Sequence, residues 1–305
     1  MLSHDINRYI EHRQALGFKF RVQSGLLRNF ALFAESKGDH FVHTKRVLDW
    51  AEQGPSPAQR RNRLLIVRRF ALVMKTEDER YQIPPSDAFG KNGFSRGKPY
   101  IFSPVEVTAL ISAAAQLSPQ DSIRPITYKT LFSLMAVTGL RSSEALKLTL
   151  DDITDDGLII RESKFRKSRL VPIHETATLA LSQYLIQRQR FVVKDITTVF
   201  VSHRSKALSY STVVSIFLNL VRGLGLHAGA GHSGPRLHDL RHTFAVRSLE
   251  LCSGDSNAIK QHMAALSTYL GHTHIADTYW YLQATPMLMN QISEAGESLY
   301  KGDLS

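Results

Sequence analysis

Apolar residues recur at helical spacing through the first part of the chain. Within residues 2–16, Ile6, Tyr9, Ile10 and Leu16 fall near one helical face, and within 22–36 Val22, Leu26, Leu27, Phe30, Leu32 and Phe33 repeat the habit. Thr44–Gln53 reads as a third, shorter helix that Gly54-Pro55-Ser56-Pro57 stops. A fourth, Pro57 to Lys75, carries Leu64, Leu65, Val67, Phe70, Ala71, Val73 and Met74. These predict a compact helical unit over residues 1–82.

The pattern then breaks. From Ile83 the chain is rich in Pro, Gly and cations without periodicity, so residues 83–102 are expected to be an extended basic linker. Ser103-Pro104-Val105-Glu106 is a capping box and opens a second domain, expected over 103–281. Pro125–Thr138, Arg141–Leu148, Glu175–Arg190, Ser209–Gly223 and Leu237–Leu251 read as helices. Leu158–Ser163 and Arg169–Ile173 are short β-like runs flanking the basic turn Lys164-Phe165-Arg166-Lys167-Ser168, and Val199–Val201 is extended. The fold class is therefore mainly α with a small β-sheet. A tail, 282–305, has Leu288, Met289, Ile292 and Leu299 at near-helical spacing and is expected to dock either on its own domain or on a neighbouring protomer.

Charge narrows the partner. The 305 residues carry 38 Lys+Arg against 27 Asp+Glu, a net charge of +11, and 43% hydrophobic residues fill the cores. Residues 1–98 hold 18 basic and 10 acidic side chains, net +8, so the N-terminal third carries most of the excess. A polyanion is the expected partner. A single cysteine, Cys252, excludes an intramolecular disulfide and a cysteine-rich metal site. The polar start carries no signal-peptide stretch and no apolar run is long enough to span a bilayer, which points to a soluble, cytoplasmic protein associated with the nucleoid.

Four segments concentrate chemistry: Thr138-Gly139-Leu140-Arg141-Ser142-Ser143-Glu144; Lys164 in the basic turn; His238-Asp239-Leu240-Arg241-His242; and Leu270-Gly271-His272, followed nine residues later by Tyr281. Singly, each reads as an ordinary helix terminus or surface pair. Together, and in this order, they resemble the catalytic set of the tyrosine recombinases, the phage-integrase family, and the N-terminal helices look like that family's core-binding domain. The resemblance implies a C-shaped clamp on duplex DNA. It also implies cleavage by Tyr281 to a 3′-phosphotyrosine, without metal or ATP or any other cofactor.

The residue types suit that chemistry. Phosphoryl transfer on a diester is mainly positioning and charge stabilisation, and guanidinium forks bind two phosphate oxygens at any working pH. Arg141 and Arg241 are the expected clamps. By resemblance, Glu144 orients Arg141, His238 is the base or proton partner of the tyrosine, and His272 bonds the phosphate. Lys164 is the expected general acid for the leaving 5′-hydroxyl, with Lys167 a rival. Tyr279 and Tyr281 sit about 200° apart on a helix, and the nine-residue offset from His272 selects Tyr281.

DNA-backbone contacts are expected from Arg60, Arg61 and Arg63, from Lys91, Arg96 and Lys98 of the linker, and from Arg166, Lys167 and Arg169. Zinc on the pairs His238/His242 or His272/His274 lacks further ligands at recognisable spacing, and the Gly-rich stretch 223–231 lacks the Gly-Lys-Ser/Thr of a P-loop. The resemblance implies, as partner, double-stranded DNA bearing a specific recombination site, bound by a homotetramer or together with related recombinases. The core-binding helices start almost at Met1, which favours a simple recombinase or one carried by a transposable element. A type IB topoisomerase and a catalytically silent DNA-binding factor are the alternatives.

Overall fold

The computed structural model describes residues 2–90, 99–161, 168–192, 196–226, 234–251, 256–272, 274, 277–278 and 281. The chain divides into two compact units, Met1–Arg96 and Gly97–Ser305.

In the first unit, helices α1 (Leu2–Ala15), α2 (Arg21–Glu35), α3 (Thr44–Glu52) and α4 (Pro57–Met74) follow the apolar periodicity closely. Ser56 caps α4 through its side chain, with Pro57 in the first turn. The core gathers Leu27, Phe30, Trp50, Val67, Phe70 and Tyr81. Four expected core residues face outward instead: Leu16, Val22, Leu32 and Val73 are 57%, 70%, 67% and 44% exposed. Leu16 lies beyond the end of α1, and the α2 stripe is narrower than its apolar content suggests, because Ser24, Leu27, Phe30, Ala31 and Ala34 already fill the buried face.

Residues 83–90 depart from the extended linker expected there. Arg68 donates to the Pro84 carbonyl, Arg61 donates to that of Gly90 at 2.7 Å, and Phe89 packs on the helical core. Apolar anchors among the prolines hold this stretch against its own unit.

The second unit opens with α5 (Pro104–Ala114), where the Ser103–Glu106 capping box is present in full. It continues with α6 (Arg124–Thr138), the single turn α7 (Ser142–Ala145), α8 (Glu175–Phe191), α9 (Tyr210–Gly223), α10 (Asp239–Glu250) and α11 (Ser256–Leu270). The helix expected over Arg141–Leu148 is cut short. Its chain turns away so that Leu148 and Leu150 exchange backbone bonds with Val199 and Thr197.

Three antiparallel strands, β1 (Ile153–Thr154), β2 (Gly157–Ile160) and β3 (Arg169–Val171), form a sheet in that order. The register pairs Leu158 with Val171 and Ile160 with Arg169. Gly157, at φ 131°, is obligatory in the β1–β2 turn, since a Cβ would stand 2.4 Å from the Val171 carbonyl. The main core collects Phe102, Leu131, Phe132, Tyr184, Phe200 and Phe217. Among the described residues, no helix is long and apolar enough to cross a membrane.

Candidate active site

Three chain reversals in the second unit meet at one place. The first is the end of α6. Gly139 takes a left-handed φ of 61°, and a Cβ there would lie 2.5 Å from the Phe244 ring, so only glycine permits the turn and the close approach of α10. Two residues on, Arg141 stands at the N-cap of α7 with its side chain 20% exposed. Glu144 closes the turn by accepting from the Arg141 backbone N–H at 3.0 Å. Its other oxygen accepts from the Arg141 guanidinium at 2.7 Å.

The second reversal is the start of α10, where the buried Asp239 accepts from the Arg236 backbone at 2.7 Å. His238, Arg241 and His242 occupy this first turn. Arg241 is 1% exposed and donates to the carbonyls of Gly139 and Leu270, both at 2.7 Å. Burial, reinforced by Arg141, pushes its pKa down to about 10, which leaves it cationic at neutral pH. The third reversal is the end of α11. Gly271 adopts φ 68°, and its carbonyl accepts from Arg141 at 3.0 Å.

Arg169 was expected on the DNA backbone, and its geometry corrects that expectation. As the first residue of β3 it shares the inward face with Val171. Its side chain is 12% exposed and forks onto both oxygens of Glu144, at 3.1 and 2.9 Å. A third bond reaches the Tyr269 carbonyl at 2.8 Å. A Cβ on Gly271 would stand 2.8 Å from this guanidinium, so the glycine also leaves room for the cation. Glu144 therefore serves two arginines. Burial works to raise its pKa, but the bonds and charge of Arg169, aided by Arg141, overcome burial and hold it near 2.

Tyr281 lies 3% exposed against Ala245, Val246, Leu249, Met263, Leu266 and Leu270. Its ring stacks on that of His272, with centroids 6.0 Å apart and planes at 17°. His272 Nδ1 is 2.7 Å from the Thr278 hydroxyl. Burial first, then Arg241 and Arg141, lowers the His272 pKa to about 4. At His238, burial of the ring first, then His242 and Arg241, lowers the pKa likewise to about 4, so both imidazoles are neutral at pH 7. Hence Arg141, Glu144, His238, Arg241, His272 and Tyr281 all belong to one cluster.

Two members escaped sequence reasoning: Arg169, hidden by its place in a basic run, and His242, whose Nδ1 lies 3.3 Å from the Tyr281 hydroxyl. Its position one turn after His238 was the available signal. Lys164, Arg166 and Lys167, the linker cations Lys91, Arg96 and Lys98, Tyr279 and the tail 282–305 lie outside the described residues.

In the first unit, the arginines expected on DNA are engaged locally. Arg60 donates to the Gly54 carbonyl at 2.9 Å, and Arg63 donates to that of Trp50 at 3.1 Å with its guanidinium 5.1 Å from the Trp50 ring centroid. These contacts fix the stems of α4 and its preceding turn.

The model of the phage integrase family matches residues 101–287. A putative integrase/recombinase, y4rB of Sinorhizobium fredii, is 38% identical and the match covers 94% of each chain. The tyrosine recombinase XerD of Caulobacter vibrioides is 29% identical over 76% of this chain and 73% of its own. Among solved structures, the Tn1549 transposon integrase in complex with transposon right-end DNA superposes with a TM-score of 0.66 at 16% identity, covering 96% of this chain and 99% of that one.

Proposed function

The chain belongs to the phage integrase family, the tyrosine recombinases, and on that premise we propose that Tyr281 is the nucleophile with which it cuts and rejoins duplex DNA at a specific recombination site. The observation that carries this reading is the convergence of Arg141, Arg241, His238, His242 and His272 on the cluster that holds the buried Tyr281.

The tyrosine oxygen attacks the scissile phosphorus, leaving a 3′-phosphotyrosine and a free 5′-hydroxyl. The hydroxyl of a partner strand then reverses the step. Energy of the diester is conserved in the phosphotyrosine, so no nucleotide is consumed. Arg141 and Arg241 stabilise the anionic transition state, and each is pre-aimed by bonds to backbone carbonyls across the site. Neutral His238 and His272 hydrogen-bond the phosphate or relay protons without adding fixed charge.

Lys164, or Lys167, protonates the leaving oxygen. Arg60, Arg61 and Arg63, Lys91, Arg96 and Lys98, and Arg166 and Lys167 contact the DNA backbone. The active assembly is a homotetramer on two duplexes, and the element served is a mobile one.

A nicked suicide duplex tests the reading. The expected result is a covalent adduct on denaturing gels that Tyr279→Phe retains and Tyr281→Phe abolishes. Persistence of the adduct in Tyr281→Phe would remove the assignment. Relaxation of supercoiled DNA without exchange of two sites would replace recombination with topoisomerase activity.

A further inference from the structure

We infer that His242, one turn beyond His238, is the group that takes the proton from the Tyr281 hydroxyl as the nucleophile attacks. This inference rests on the strand-transfer reading above and adds a catalytic residue to it.

A phenol with an ordinary pKa of about 10 is a poor nucleophile near neutral pH and needs a proton acceptor at hydrogen-bond range. His242 supplies it: Nδ1 is 3.3 Å from the phenol oxygen, and the two ring centroids are 5.5 Å apart at a tilt of 55°. His272 lies parallel to the phenol ring, and its own Nδ1 is engaged by Thr278 at 2.7 Å, so its contact with Tyr281 is a stacking one. His238 meets His242 edge-on, with centroids 4.6 Å apart, so it can act on the phenol through His242. Both histidines stand on the first turn of α10, whose backbone Arg241 locks to the ends of α6 and α11. The acceptor is thus held by the same turn that supplies a phosphate clamp.

A lone pair on the Tyr281 oxygen forms the bond to phosphorus while the bond from phosphorus to the 5′-oxygen breaks. The electron pair of that bond stays on the 5′-oxygen, which takes a proton from the lysine general acid. The phenol proton passes to Nδ1 of His242, which must carry its own proton on Nε2 beforehand. Rejoining returns each proton by the same route.

The test uses the full chain and a nicked duplex whose sequence the protein itself enriches from a random-sequence library. His242→Leu is expected to slow single-turnover adduct formation by about 10²- to 10⁴-fold. DNA binding, read by band shift, should move by less than about threefold. His242→Asn, whose amide reaches the position of Nδ1 but cannot take a proton near neutral pH, should be slowed by about as much as His242→Leu.

A His242→Leu rate within about threefold of wild type overturns the inference and leaves the role of Tyr281 standing. A His242→Asn rate within about threefold of wild type overturns it as well, even if His242→Leu does not fold. A wild-type protein that binds the duplex yet forms no adduct removes the strand-transfer reading, and this inference with it.

Discussion

The two units of this chain hold their arginines in different ways. In the first, Arg60, Arg61 and Arg63 lean on carbonyls of Gly54, Gly90 and Trp50, while the core beneath them buries no charged side chain among the described residues. In the second, Arg141, Arg169 and Arg241 reach inside the fold, where one buried carboxylate and four carbonyls receive them. Taking a guanidinium out of water costs several kcal/mol, and good bonds only offset that cost. The first unit keeps its arginines half-exposed, and we propose that the second accepts a desolvation cost to have cations oriented before a phosphate arrives. Preorganisation of this kind is where most of the catalytic effect of such groups originates.

Substituting Arg241 should break the contrast most sharply. Arg241→Met is expected to slow adduct formation by about 10²- to 10³-fold. Its melting temperature should change little, since removing a buried charge offsets the loss of a donor at the Gly139 and Leu270 carbonyls. A large fall in melting temperature would mean that the cation is there for stability.

Glu144→Gln comes next, because it strands two cations. Urea unfolding should show a loss of roughly 3 kcal/mol at neutral pH. The wild type should converge on this variant in acid. The Glu144 pKa is held near 2, below its ordinary 4.5, so its stabilisation is complete above pH 4.5 and disappears as pH falls toward 2. A parallel pH dependence in wild type and variant would contradict the assignment.

The histidines should sharpen the same picture at milder pH. The His272 pKa is lowered from 6.5 to about 4, so the folded state takes up its proton later than the unfolded chain does. Stability present above pH 6.5 is therefore lost as pH falls toward 4, and His272→Asn should flatten that part of the profile. The smallest effect is expected on the other side of the comparison. Arg61→Ala should reduce the salt dependence of DNA binding by about one unit of slope and change unfolding by less than about 0.5 kcal/mol. A loss of several kcal/mol there would show that the first unit also invests stability in its cations.

Much of the helical framework was legible because helix periodicity is local. The four N-terminal helices lie within about two residues of their apolar patterns, and the Ser103–Glu106 box marks the start of α5 as its residue types require. Outward-facing Leu16, Val22 and Leu32 were not legible, since periodicity counts apolar residues without knowing how many a face can bury. The truncation of α7 was hidden for a related reason. Its cause is a backbone pairing with residues 197–199, some fifty positions away by the order of the chain.

The ordered set Arg141, Glu144, His238, Arg241, His272 and Tyr281, and with it membership of the family, could be read from residue types and spacing alone. Tertiary structure decided which cations do what. Arg169 sits in a basic run and looks like a backbone contact, but β-pairing turns it inward onto Glu144, 25 residues earlier. Arg241 is aimed by the carbonyl of Gly139, 102 residues away, and His242 meets a hydroxyl 39 residues further on. Local spacing determines the face a side chain occupies on its own element. The partner it meets depends on which chain reversals are packed together, and here two left-handed glycines, Gly139 and Gly271, bring them within bonding distance.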